Sequence, residues 1–63
     1  MQRVNVNELV SGQKYFVKCG IWEVNAIYKN SVKRGNTTFY DFLICSSFSI
    51  FAPKSKLKIY LEV

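Results

Sequence analysis

A two-residue alternation of apolar and polar side chains runs through most of this chain. It limits the fold to strands that turn one face to a core and the other to water. From Lys14 to Cys19, Tyr15, Val17 and Cys19 share one side, while Lys14, Phe16 and Lys18 share the other. Trp22, Val24, Ala26 and Tyr28 form the apolar side of a second run, opposed by Glu23, Asn25, Ile27 and Lys29. Across Thr37 to Cys45, Tyr40, Phe42 and Ile44 oppose Phe39, Asp41 and Leu43. Ser46-Ser47 turns the chain into Phe48-Ser49-Ile50-Phe51. The last run is the most regular: Leu57, Ile59, Leu61 and Val63 point one way, and Lys56, Lys58, Tyr60 and Glu62 the other. Composition agrees, with 24 β-branched or aromatic residues against 12 of Ala, Leu, Met, Glu and Gln.

The breaks between runs complete the outline. Asn7-Glu8-Leu9-Val10-Ser11-Gly12 reads as one helical turn capped by Asn7, with Gly12 closing it in the left-handed region. Ahead of it, Val4 and Val6 alternate with Arg3 and Asn5 as a short edge strand would. Residues 30–36 read as a polar loop, in which Gly35 and Asn36 suit a hairpin needing positive φ. Pro53 has no N–H to give a ladder, so Ala52-Pro53-Lys54-Ser55 ends a strand and leaves room for one tight helical turn. The expected fold is all-β, a single domain over residues 1–63. Five strands would make a small closed or nearly closed barrel, with a short N-terminal strand and turn and a single tight helical turn before the last strand. Closure hides strand edges that would otherwise template aggregation. This element order, over residues 13–63, resembles the SH3-like small barrels, the architecture shared by Tudor and KOW modules. The resemblance implies the barrel, and no binding residues carry over with it. An oligonucleotide-binding fold fits less well, because residues 45–47 are too few for the helix it places between its third and fourth strands.

Several function classes fall away. The chain has no histidine, so the commonest general base and metal ligand are missing. Glu8, Glu23, Asp41 and Glu62 are the only carboxylates. Glu23 and Asp41, outward on neighbouring strands, could face each other, but beside so many lysines they read as solvated charges. Cys19 and Cys45 have no base to activate them and are expected to be reduced, buried, small hydrophobes. Gly12, Gly20 and Gly35 are isolated, which rules out a glycine-rich phosphate loop. No enzymatic activity, metal or cofactor is expected. The start Met-Gln-Arg-Val-Asn lacks the apolar segment of a signal peptide, so the expected location is the cytoplasm. The longest charge-free stretch, residues 42–53, is 12 residues long, against about 20 for a membrane span.

What remains is charge and an apolar surplus. Nine Lys and Arg against four acids give a net +5. Lys54, Lys56 and Lys58 repeat every second residue, which on a strand spaces their Cβ atoms by about 6.6 Å on one face. That spacing is close to that of phosphates along an extended single strand. Tyr60 continues the row with a ring for stacking, and Lys33 and Arg34 add a second cluster at a loop tip, with Lys14 and Lys18 on the first strand. The competing reading is a lysine-rich edge that discourages sheet pairing. Phe16, Ile27, Phe39, Leu43 and Phe51 point outward, more than a small monomer normally scatters. Val4, Val6, Leu9 and Val10 could cover some of them, a protein partner or second copy could, or they could stack on bases. Trp22, Tyr15 and Tyr28 are expected in the core. Two functions follow. The first is a module contacting single-stranded DNA or RNA with weak sequence preference. The second is an accessory protein of phage or mobile-element type that binds and inhibits a host protein. Its support is compositional: seven lysines to two arginines, with abundant Asn, Ile and Phe, suggest an AT-rich genome. A homodimer is compatible with both.

Overall fold

Six strands form one antiparallel sheet in the computed structural model, which describes residues 1–61. They are β1 (Gln2–Val4), β2 (Lys14–Cys19), β3 (Trp22–Arg34), β4 (Thr37–Cys45), β5 (Phe48–Pro53) and β6 (Leu57–Leu61). Two 3₁₀ turns interrupt them, Val6–Glu8 and Lys54–Lys56. The spatial order is β1-β6-β2-β3-β4-β5, so β1 and β5 are the edges of an open sheet. The expected places of Glu62 among the lysines and of Val63 among the leucines lie outside the described residues.

The sheet supplies both sides of its own core. Tyr15, Val17, Ala26, Tyr28, Phe42, Ala52, Leu57 and Ile59 form one buried cluster. Ala52 on β5 and Ile59 on β6 are four strand steps apart, roughly 19 Å on a flat sheet, so joining one core requires a strong curl. Phe42 sits at the centre, fully buried, with its ring edge-on to Tyr15 at 6.5 Å and tilted against Tyr28 at 5.4 Å. The Tyr15 hydroxyl accepts a 2.9 Å hydrogen bond from the Val10 N–H, so the polar tip of a buried ring is satisfied.

The N-terminal segment differs from expectation in position and target. Its 3₁₀ turn starts after Asn5 rather than at Asn7, and Glu8 Oε1 accepts from the Asn5 N–H at 3.1 Å. Val6 is part of that turn rather than of the edge strand. Val4, Val6 and Leu9 pack on the buried cluster instead of covering the outward aromatics, while Val10 stays exposed.

Residues 30–34, expected in a loop, continue β3 to thirteen residues, and only Gly35-Asn36 turns the chain. Gly35 takes the positive φ of 62°, and Asn36 does not share it. The polar run stays extended because β4 pairs with it through Lys33↔Thr38 and Arg34↔Thr37. A bulge between Tyr28 and Asn30 gives β3 one extra residue, Lys29. The preceding turn braces it: Tyr28 exchanges hydrogen bonds with Gly12 N and Gln13 O at 2.8 and 3.0 Å, and Ser11 Oγ donates to the Lys29 carbonyl at 2.8 Å. Gly12, at φ +88°, permits that turn.

Phe42→Ala is expected to remove most of the domain's stability. Emptying a phenylalanine site of this kind costs about 3–5 kcal/mol, a large share for so small a domain. Urea unfolding followed by circular dichroism measures it, and a loss below about 1 kcal/mol would move the centre of the core elsewhere.

Candidate nucleic-acid interface

The outer, convex face of β2 and β6 brings together aromatic rings and cations. Phe16 on β2 pairs directly with Tyr60 on β6, their rings 6.4 Å apart and tilted by 46°. Arg3 on β1 is the other register partner of Tyr60. Its guanidinium carbon lies 5.7 Å from the Tyr60 ring centre, and Lys18 Nζ lies 5.6 Å from it. Two cations therefore flank one half-buried phenol ring. In the next row Lys18 stands opposite Lys58. Like charges directly opposed across a ladder destabilise it, and an anion seated between them reverses that sign. Glu23, on the other side of Lys18, is the one acid in the row.

The lysine row departs from the expectation at its N-terminal end. Lys54 and Lys56 belong to a 3₁₀ turn, and of the three only Lys58 is on a strand. Pro53 cannot continue the ladder, and the turn begins directly after it. The three do not form one strand face. They gather instead, with Arg3 and Lys18, around a hollow of about 310 Å³. Two further hollows share Lys54 and Ser55 with it. One of about 530 Å³ reaches Arg3, Asn5 and Asn7, and one of about 390 Å³ reaches Asn36, Thr37 and Thr38. Among the described residues no carboxylate lines any of the three. The result is a continuous polar rim around the turn, with five cations at one end.

Lys33 and Arg34 do not make one cluster. Adjacent on a strand, they face opposite sides. Lys33 shares its side with Thr38, which lines the rim beside Lys54. The β3 bulge turns Arg34 outward, where its guanidinium lies 5.3 Å from the Phe51 ring centre. Phe51 stacks on Phe39, ring centres 5.1 Å apart and planes within 6°. Ile27 and Leu43 are direct register partners between the two aromatic pairs. Phe16, Ile27, Phe39, Leu43 and Phe51 thus share the outer face, and the aromatic members pair with other rings.

Other expectations are corrected. Glu23 and Asp41 do not face each other, since Glu23 pairs with Lys18, and Asp41 with Asn30 and Phe51. Cys19 is half-buried and Cys45 exposed, beside a second bulge between Leu43 and Cys45; both thiols are free. Trp22 is 61% exposed rather than part of the core. With Val24, Ile44, Phe48 and Ile50 it lines an apolar hollow of about 400 Å³, where the inner face runs past the segment covering it. The alternation placed Trp22 on the inner side correctly, but a period of two carries no information about where that side stops being covered. Arg3 is the residue missed at the basic site; its alternation with Val4 put it on an outward face without showing that β1 pairs with β6.

Among the described residues no helix is long and apolar enough to cross a membrane. No protein-family model, curated protein or solved structure matches the chain.

Trp22 emission is expected at the long wavelengths of a hydrated indole and to shift little on unfolding. A blue-shifted native spectrum that moves red in urea would put the ring back in the core.

Proposed function

We propose that the protein is a non-enzymatic β module that holds single-stranded nucleic acid against the outer face of β2 and β6. The observation that carries this reading is Tyr60, its ring flanked by Arg3 and Lys18, beside Phe16 and the opposed pair Lys18 and Lys58. A base stacks on the open part of these half-buried rings while its phosphates answer the lysines. Lys54, Lys56 and Lys33 extend the cationic field around the second 3₁₀ turn. Nothing in this arrangement reads base edges, so sequence preference is weak and counterion release supplies most of the affinity. We also read the curled sheet as an SH3-like small barrel. The order β6-β2-β3-β4-β5, with a 3₁₀ turn between β5 and β6, supports that reading. The cytoplasm is the compartment in which we place this activity.

A second reading has one observation in its favour: Ile27 and Phe51 leave apolar surface open on the outer face. On that reading a host protein docks there and the lysines form the rim, as in an accessory inhibitor from phage. Pull-down from host lysate, with and without nuclease, separates the two. Nucleic acid in the captured fraction supports the first, and protein that survives nuclease supports the second.

Titration of a labelled single strand against salt is the direct test. Four to five phosphate contacts predict a slope of log K on log salt of about −3, with micromolar affinity at about 50 mM salt. Lys58→Ala is expected to flatten the slope by about 0.7. A flat salt profile, or no binding at about 50 mM salt, defeats the proposal.

A further inference from the structure

The outer face carries a second aromatic and cationic station at the far side of the sheet. Phe39 and Phe51 stack there, with Arg34 over Phe51. Register joins it to the first station. Tyr60 pairs with Phe16, Phe16 is diagonal to Ile27, and Ile27 pairs with Leu43. Leu43 is diagonal to Phe51, which stacks on Phe39. One apolar diagonal therefore crosses β6, β2, β3, β4 and β5, with Arg3 and Lys18 on the ring at one end and Arg34 at the other. Four strand steps make it roughly 19 Å across on a flat sheet, longer than one nucleotide can bridge.

We infer that this diagonal is a track for an extended single strand that engages both stations at once, and that the protein therefore selects strands by length. The inference rests on the nucleic-acid reading above. Charge complementarity names the occupant: Arg3, Lys18 and Arg34 sit on the aromatic rings at the two ends and outnumber Asp41, the carboxylate that stands opposite Phe51 on the same face, and a base-and-phosphate repeat alternates stacking with negative charge. An apolar protein segment would leave those charges unanswered. A span of this size matches the low end of single-strand sites on β modules, about four nucleotides. The middle of the track, Ile27 and Leu43, gives van der Waals support to bases, and the number of nucleotides that reach both stations is what it reads.

Fluorescence anisotropy with labelled oligothymidylates and oligouridylates of about three and about nine nucleotides tests the track. The longer strand is expected to bind at least about tenfold more tightly per site. Phe51→Ala and, separately, Arg34→Ala are expected to weaken the longer strand by about tenfold and leave the shorter one unchanged. Preferential binding of the thymidylate or the uridylate series tells DNA from RNA on the same track. Amide chemical shifts at Phe39 and Phe51 of the unmodified protein give a reading that needs no variant. They are expected to move with the longer strand and stay still with the shorter. If the wild type binds both lengths equally and those amides stay still, the second station is no part of the site, while the first reading stands. If neither strand binds, both fall. If Phe51→Ala abolishes capture of a host protein and leaves the longer strand's affinity unchanged, the face docks a protein and the track is overturned.

Discussion

A single sheet with no α-helix among the described residues to lay against it can bury a face only by curling onto itself, and Phe42 marks where this one succeeds. Tyr15 reaches it from two strands away, and Tyr28 from the neighbouring strand. Such a curl needs a strand long enough to serve both halves of the sheet. β3 is that strand, pairing with β2 through its first six residues and with β4 from Ile27 onward. The small residues Ala26 and Ala52 in the buried cluster leave room for the rings of the larger ones. Val4, Val6 and Leu9 then close part of the concave side.

The curl decides what the other face is for. Everything outward lies on a convex surface with no second layer, so its apolar groups find partners only along the face. Aromatic rings pair across and along the ladder, and cations settle on the rings because their aliphatic stems and charges are both accommodated there. Lys18 follows that logic, with its Nζ on the Tyr60 ring and Glu23 opposite it, and its pairing with Lys58 is the one place in the row where like charges oppose each other. Opposed like charges cost ladder stability, and that cost is the physical argument behind the anion-binding reading proposed above.

Much of this was legible in the sequence because strand faces follow from a period of two. The inner set Tyr15, Val17, Ala26, Tyr28, Phe42 and Ile59, and the outer set Phe16, Ile27, Phe39 and Leu43, were both readable from alternation alone. The tight turn after Pro53 was readable too, since proline's missing donor is a local fact. What escaped was non-local. Strand pairing holds residues 30–34 extended against their polar composition, and no pattern within the segment announces it. Trp22 obeys the alternation and is nevertheless exposed, because coverage depends on how far the N-terminal segment reaches. Arg3 joins the site only through the β1–β6 pairing.

The β3 bulge shows how one local irregularity sets both architecture and site. Uninterrupted alternation from Ile27 would put Lys29, Ser31 and Lys33 outward and turn Arg34 inward. The extra residue at Lys29 exchanges those assignments, so Asn30, Val32 and Arg34 join Ile27 on the outer face. The carbonyl of Lys29 is taken up by Ser11 Oγ, and the turn through Gly12 braces Tyr28 beside it. The contact of Arg34 with Phe51 is therefore held in place from a turn more than twenty residues earlier in the chain. Removing the extra residue would preserve composition almost unchanged. It would also move a guanidinium from the convex face to the concave one, away from the Phe51 ring. Core and outer face are thus specified by the same irregularity, and neither is free to change register without the other.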